Sequence, residues 1–280
     1  MIVDAHLHVR RRSRGDYGWL TPASGVLWRD YEAEDARAEL ASAGVAYAIL
    51  VQAAPTVAES ALLLDLAKAH DWVLGVVGWV DLTGAAVGEE LARLREAGPL
   101  VGVRAMLQDI DDPDWMLRAD VASGLEAVAA AGVVFDALVR PVHLQALATL
   151  ADRHPDLQII VNHAGKPPIG NRPNEGWCRD IARLAEQQTI ACKFSGLVSE
   201  AGPGWTEAML EPIVETLLEK FGPSRILWGS DWPVCTPTTT YRGWLDTAEA
   251  LLATRVDADD RARIVGGNAT TLYRLKGTPA

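Results

Sequence analysis

The sequence predicts an α/β protein that forms one (β/α)8 TIM barrel over residues 1–280. Short β-branched or apolar runs alternate with longer amphipathic stretches, which is the pattern of repeated β/α units. A chain of 280 residues with 49% hydrophobic content can bury one large core. A barrel of this type takes about 250 residues, so a second domain is not required.

Each strand is expected to be apolar along most of its length, because parallel strands are covered on both faces. The runs VAYAILV at 45–51 and LQIIV at 157–161 fit this expectation. The predicted strands cover residues 2–8, 45–52, 73–80, 100–107, 132–139, 157–163, 189–195 and 225–231. The predicted helices cover residues 34–43, 58–70, 86–97, 119–131, 142–153, 175–187, 207–221, 243–253 and 258–274.

Polar residues fall where these strands end. A barrel of this kind places its chemistry at the C-terminal ends of its strands. The functional face is therefore expected to be assembled from distant parts of the sequence. The polar residues at the predicted strand ends are His6, His8, Gln52, Arg104, His163, Lys193, Ser195 and Asp231.

The first and last strands carry the strongest chemical signal. Alternate side chains of a strand share one face, so His6 and His8 point the same way, and a closed barrel brings them to Asp231. Two imidazoles and a carboxylate are good ligands for a divalent cation, and Asp231 is equally suited to act as a base. His163 precedes a Gly/Pro turn that places its ring over the barrel mouth. The predicted catalytic residues are Asp231, His163, His6 and His8, and the predicted metal ligands, if a metal is bound, are His6, His8 and Asp231.

A second group of residues is predicted to bind the substrate. A cation at Arg104, inside an apolar strand, needs an anion or a cavity, and an intramolecular ion pair is the alternative. Lys193 is expected to form hydrogen bonds or an ion pair, with Asp136 as a candidate partner. Flat Trp faces suit a sugar ring, although core packing also explains them. The predicted substrate-binding residues are Arg104, Gln52, Lys193, Trp79, Trp232 and Trp28. The long loop 10–31 is a candidate lid or a plain surface loop.

Charge and composition exclude several partners. The chain has 26 basic and 37 acidic residues and a net charge of -11, which opposes binding to nucleic acid and to anionic membranes. No signal segment or membrane span is evident, so a cytoplasmic location is expected. The sequence leaves a homo-oligomer open.

Six segments together resemble the amidohydrolase superfamily, of the amidohydrolase 2 type. They resemble most its sugar-lactonase branch, which includes L-fuconolactonase and L-rhamnono-γ-lactonase. The segments are MIVDAHLH at 1–8, VVGWVDL at 76–82, GVR at 102–104, NHAGKP at 162–167, KFSG at 193–196 and LWGSDWP at 227–233. The resemblance implies a distorted barrel of the metal-dependent hydrolase type that opens the ester ring of a sugar lactone or a related carboxylated lactone. It also implies that Asp231 activates water and that His6, His8 and His163 surround the carbonyl.

The chain departs from the family pattern on two strands. Members with a full metal site carry a histidine on strand five or a carboxylated lysine on strand four, where this chain has Asp136 and Arg104. A dinuclear site is therefore not expected. One divalent ion, with zinc the first choice, and metal-independent catalysis both remain open. Two other functions remain as alternatives, a metal-dependent decarboxylase or amidase and a non-catalytic barrel that binds a sugar acid.

Overall fold

The computed structural model describes residues 1–170 and 174–276. Eight parallel strands form one sheet in sequential order from β1 to β8, with helices around it. The prediction of an α/β barrel is confirmed. The strands are β1 Val3–Leu7, β2 Tyr47–Val51, β3 Val73–Gly78, β4 Leu100–Ala105, β5 Val134–Ala137, β6 Ile159–Val161, β7 Ile190–Phe194 and β8 Ile226–Trp228.

The barrel closes through the residues that follow β8. The backbone N–H of Asp231 donates to the carbonyl of His6 over 2.8 Å, and the N–H of His8 donates to the carbonyl of Trp232 over 2.8 Å. These bonds join segments more than 220 residues apart in the chain. As a result, the carboxylate after β8 lies beside the two histidines of β1.

Helices cover the outside of the sheet and pack their apolar faces on it. In α6, Trp177, Ile181 and Leu184 recur at helical spacing and are buried. Burying a side chain of this size contributes about 1.5–3 kcal/mol. The helices are α1 Ala33–Ser42, α2 Val57–Ala69, α3 Val87–Ala97, α4 Ala119–Ala131, α5 Leu144–Arg153, α6 Glu175–Ala185, α7 Leu197–Ala201, α8 Glu207–Phe221, α9 Tyr241–Ala253, α10 Ala258–Ala262 and α11 Asn268–Leu272.

All eight strands end one to three residues before their predicted ends, and the difference changes the backbone of two site residues, His163 and Asp231. The predictions extended to residues 163 and 231, but β6 ends at Val161 and β8 at Trp228. His163 and Asp231 have left-handed backbones, with φ of 52° and 56°, which no strand can continue through. The two side chains are therefore placed by turns that follow the strands.

The C-terminal helix is divided, although the pattern over 258–274 predicts one continuous helix. A π-helical turn at Arg263–Gly267 separates α10 from α11. Gly266 packs against the start of the chain there, and a Cβ on it would lie 2.2 Å from the carbonyl oxygen of Met1. The short helix α7 was not predicted, because five residues carry too little periodicity. Among the described residues, no helix is long and apolar enough to cross a membrane.

The loop 10–31 is tied down at both ends. Arg10 and Tyr31 exchange two backbone hydrogen bonds of 2.8 and 2.9 Å. Midway along the loop, the indole of Trp19 donates to the carbonyl of Ala53 over 2.8 Å. The loop therefore lies over the end of β2 and forms part of the wall above the barrel mouth.

Candidate active site

Three imidazoles surround one carboxylate oxygen at the C-terminal end of the barrel. The Nε2 atoms of His6, His8 and His163 lie 3.7, 3.5 and 3.8 Å from Oδ1 of Asp231. All four residues are at most 5% exposed. These distances are longer than a direct hydrogen bond, so the four groups face a shared position between them.

The strand geometry of β1 and one hydrogen bond orient the first two histidines. His6 and His8 stand two residues apart and point to the same face. The Nδ1–H of His8 donates to the carbonyl of Val51 over 2.7 Å. A carbonyl only accepts, so this bond fixes the proton on Nδ1 and leaves the Nε2 lone pair of neutral His8 facing Asp231.

Asp4 joins the two ends of the barrel below the histidines. One carboxylate oxygen accepts from the backbone N–H of His6 over 3.0 Å and from that of Ser230 over 2.9 Å. The other accepts from the hydroxyl of Tyr241 over 3.0 Å. Burial raises the pKa of Asp4 to about 6, although these hydrogen bonds partly offset the increase. Asp4 therefore fixes the spacing between His6 and the segment that carries Asp231.

A left-handed turn places the third histidine. Residues 163–166 all have positive φ, and His163, Ala164 and Lys166 are not glycines. Such residues cost roughly 1–2 kcal/mol each, so the surrounding packing must hold the turn. Trp177 of α6 contributes by donating its indole N–H to the carbonyl of Ala164 over 2.8 Å. The turn places both His163 and Lys166 on one cavity.

A buried polar network supports His6 from inside the barrel. Lys193 Nζ lies 2.5 Å from Oδ2 of Asp136 and 3.3 Å from Nδ1 of His6. Asp136 also accepts from the hydroxyl of Tyr273 over 2.6 Å and from the amide of Asn162 over 3.2 Å. The pairing of Lys193 with Asp136 satisfies two charges that would be costly alone.

Arg104 reaches the same histidine from β4. Its Nη1 lies 3.3 Å from Nε2 of His6, and its Nη2 donates to the carbonyl of Gln52. The side-chain amide of Gln52 donates in turn to the carbonyl of Arg104 over 2.9 Å. Gln52 thus holds the guanidinium in place, and His6 lies between two cationic side chains.

Burial keeps the imidazoles neutral and leaves the carboxylate ionised. Burial lowers the pKa of His163 to about 3, and burial together with the charge of Lys193 lowers the pKa of His6 well below its usual value. It also lowers the pKa of His8. Burial alone would raise the pKa of Asp231, but its electrostatic interactions with the neighbouring His163 and His8 rings outweigh it and lower that pKa. At neutral pH the centre therefore holds an anion among neutral nitrogen bases.

The cluster opens into a cavity of about 160 Å³. The loop after β1, the ends of several strands and α7 supply its walls. The lining residues are His8, Trp19, Ala53, Arg104, Met106, Gln108, Leu138, His163, Lys166, Glu200, Asp231 and Val234. A pocket with apolar walls and convergent polar groups at one end suits a small organic ligand.

Comparison with known proteins identifies the family. The sequence profile of the amidohydrolases matches residues 3–275. The chain belongs to the amidohydrolase family. The resemblance on which the sequence analysis relied is thereby confirmed.

Two curated relatives of this amidohydrolase are L-fucono-1,5-lactonases. The protein of Burkholderia ambifaria is 38% identical over 98% of this chain and 95% of its own length. That of Burkholderia multivorans is 32% identical over 98% and 96%. Two crystal structures of an amidohydrolase from Burkholderia multivorans, one with bound HEPES and one with bound zinc, superpose with TM-scores of 0.92 and 0.91. Both are 31% identical and match 98% of this chain and 99% of theirs.

The structure of the amidohydrolase separates the predicted substrate-binding residues into two groups. Arg104 lines the cavity, whereas Gln52 and Lys193 are fully buried beside it and contact Arg104 and His6. The three predicted Trp residues are absent from the cavity lining. Trp232 is 2% exposed and packs on Tyr31, Trp28 is stacked by Arg12, and Trp79 is half-buried.

Other residues line the cavity instead, and they are not among the predicted site residues. Trp19 lies in the loop 10–31, a candidate lid, and Lys166 lies in the NHAGKP segment, so the sequence carries a partial signal for each. Gln108 and Glu200 have none, because both follow strand ends at a distance that periodicity does not fix. These four residues are candidates for substrate contact.

The donors of the centre fit one divalent ion. Ligand atoms of His6, His163 and Asp231 lie within 4.8 Å of one another, and neutral imidazoles with an ionised carboxylate are ligands that zinc prefers. His8 remains a predicted ligand, since its Nε2 faces the same oxygen. Arg104 opposes the ion, because its Nη1 competes for Nε2 of His6. Metal affinity is therefore expected to depend on where Arg104 lies.

Gly196 gives a direct test of how His163 is placed. Its φ is +66°, and a Cβ there would lie 2.4 Å from Nδ1 of His163. Gly196→Ala is expected to displace the ring and lower kcat by about 100-fold, the effect of a misplacement near 1 Å. Steady-state kinetics and a thermal melt would measure it. Gly15→Ala is the matched control, because Gly15 has φ of +77° with nothing within 4 Å. Equal losses in both variants would contradict the steric explanation.

Proposed function

We propose that this amidohydrolase hydrolyses the ester ring of a sugar lactone, with L-fucono-1,5-lactone as the first candidate. The observation that carries the proposal is an ionised carboxylate, Asp231, among three neutral imidazoles at the end of one small cavity. That arrangement suits the activation of water beside a carbonyl carbon. The two lactonase relatives, which match 98% of the chain, support the choice of substrate class.

In the proposed mechanism Asp231 is the general base. It takes one proton from water while the oxygen of that water bonds to the lactone carbonyl carbon. The Nε2 lone pair of His8 is free to accept from the same water and orient it, since its Nδ1–H is bound to Val51. The water is thereby held between two acceptors and directed at the carbon.

The attack places negative charge on the carbonyl oxygen. The guanidinium of Arg104 and the ring of His163 line the cavity and are proposed to stabilise that charge. The ring C–O bond then breaks, and the proton held by Asp231 passes to the departing alkoxide, with His163 placed to relay it. The product is an aldonic acid, which ionises in water, so each turnover releases one proton.

A bound metal would add to this chemistry without replacing the base. A divalent ion held by His6, His163 and Asp231 would polarise the carbonyl as a Lewis acid. The other roles belong to the chain itself: Gln52 positions Arg104, Lys193 with Asp136 supports His6, and Trp19 closes the cavity wall.

A substrate panel tests the proposal, with acid release followed for the lactones and product formation followed by chromatography for the other compounds. The panel contains L-fucono-1,5-lactone, L-rhamnono-1,4-lactone, a dicarboxylic lactone, an aryl amide and a hydroxybenzoate, assayed with purified protein before and after chelator treatment and with added Zn²⁺. Rapid proton release from an aldonolactone is the expected result. Turnover of the amide or the hydroxybenzoate instead would favour the amidase or decarboxylase alternative. Inactivity with tight sugar-acid binding would favour the non-catalytic barrel.

A further inference from the structure

The cavity contains an ion pair that the proposed chemistry does not use. Lys166 Nζ lies 2.6 Å from Oε1 of Glu200. Both side chains line the cavity that holds Asp231 and His163. The Lys166 side chain is 17% exposed and that of Glu200 is 31% exposed, so the pair borders solvent at the cavity wall.

The fold brings the pair together from two loops at the catalytic end of the barrel. Lys166 ends the left-handed turn after β6, and its own φ is 53°. Glu200 lies in α7, the short helix that begins directly after Gly196. Both loops follow strand ends, where a barrel of this type places substrate contacts.

The charges of the cavity wall balance. Its charged residues are two cations, Arg104 and Lys166, and two anions, Asp231 and Glu200, while the neutral imidazoles add no charge. Glu200 already engages Lys166. A ligand with a second carboxylate would therefore face two anions at this wall, while Lys166 is already paired. No new ion pair would offset the cost of removing that carboxylate from water.

The same wall suits hydroxyl groups. A carboxylate can accept several hydrogen bonds and an ammonium has three N–H donors. After their contact with each other, Glu200 can therefore still accept hydrogen bonds from a ligand and Lys166 can still donate them. Gln108 adds a buried Oε1 that has no hydrogen-bond partner among the described residues. Hydroxyl groups both donate and accept, so a polyol can satisfy all of these groups, whereas a carboxylate can only accept.

We propose that the Lys166–Glu200 ion pair is a specificity element that selects uncharged, polyhydroxylated lactones over lactones with a second carboxylate. The inference rests on the proposed lactonase function and identifies the residues that set its substrate range. Glu200 removes Lys166 as a partner for substrate carboxylates and offers acceptors to sugar hydroxyls.

The test compares an uncharged lactone with a lactone that carries a second carboxylate, because the Lys166–Glu200 pair is expected to favour the first and disfavour the second. kcat/KM is measured for L-fucono-1,5-lactone and for D-glucaro-1,4-lactone, which carries a free carboxylate. Wild type is expected to favour the first. Glu200→Gln releases Lys166 to pair with the second substrate, so it is expected to shift the ratio toward the charged lactone by about fivefold or more, the effect of one partly exposed ion pair. Lys166→Gln leaves Glu200 unpaired and is expected to shift the ratio the opposite way.

A purely structural role would lower both rates together and leave their ratio unchanged. Glu186→Gln is the matched control, because Glu186 pairs with Arg183 over 2.5 Å on the exposed outer surface. It is expected to leave both rates and their ratio as in wild type. A ratio within twofold of wild type in both cavity variants would overturn the inference, and so would a wild type that prefers the charged lactone.

Binding measurements separate this inference from the proposed function. Calorimetric titration of wild type and Glu200→Gln with L-fucono-1,5-lactam, an uncharged analogue, and with D-glucarate requires no turnover. If wild type hydrolyses no lactone, the proposed function fails, but the titration still reports selectivity. Wild-type preference for the lactam that Glu200→Gln reduces supports the inference, and equal selectivity in the two proteins overturns it.

Discussion

Asp231→Asn is expected to lower kcat of lactone hydrolysis by about 10²–10⁴-fold, the usual contribution of a positioned general base. The amide has nearly the shape of the carboxylate but cannot take a proton from water. Asparagine also tolerates the left-handed backbone at this position, where φ is 56°. The variant should therefore fold, and the loss should fall on kcat with little change in KM. Steady-state acid release with the preferred lactone measures it.

Asp71→Asn is the control for this substitution. Asp71 is exposed and lies outside the cavity, so the same chemical change there should leave kcat as in wild type. Circular dichroism and a thermal melt of Asp231→Asn would show that its fold is intact. A folded Asp231→Asn protein with a rate near that of wild type would remove Asp231 from the role of base.

The sequence could predict the barrel because its signals are local and repeated. Apolar runs at regular spacing specify strands wherever they occur, and an eightfold alternation with helices leaves few topologies. The cluster of His6, His8, His163 and Asp231 was predictable for a related reason. In a barrel the C-terminal ends of all strands lie at one rim, so a polar residue at or just after such an end is placed near that rim even when a turn sets its exact position.

The cavity wall was harder to predict because loops set it. Lys166 reaches the cavity through consecutive left-handed residues, and no sequence rule assigns that conformation to His163 or Ala164. Glu200 depends on the unpredicted helix α7. The three Trp residues that were predicted to contact the substrate show the opposite error, since they do not line the cavity. Trp79 and Trp232 follow strand ends as the substrate contacts were expected to do, yet Trp232 packs in the core, because a large apolar ring gains more from burial than from exposure at a cavity.

Asp136→Ala is expected to destabilise the fold by about 3–5 kcal/mol, the cost of leaving a buried charge without its partner. Lys193 and Asp136 are both fully buried, and Asp136 also accepts from Tyr273 and Asn162. Removing the carboxylate takes an acceptor from three buried donors and leaves the Lys193 charge with no anion to pair with. Urea unfolding, followed by fluorescence and far-ultraviolet circular dichroism, measures the free energy of unfolding.

Two further variants of this chain test whether burial and charge cause this loss of stability. Asp246→Ala breaks an i,i+4 pair with Arg242 in which both side chains are 58% exposed, so it should cost only about 0.3–0.5 kcal/mol. Asp136→Leu combined with Lys193→Met replaces the buried pair by apolar groups and should recover most of the stability lost in Asp136→Ala. If the double variant were no more stable than Asp136→Ala, the unpaired Lys193 charge would not be the cause. The stabilisation would then come from the packing of Asp136 and from its bonds to Tyr273 and Asn162.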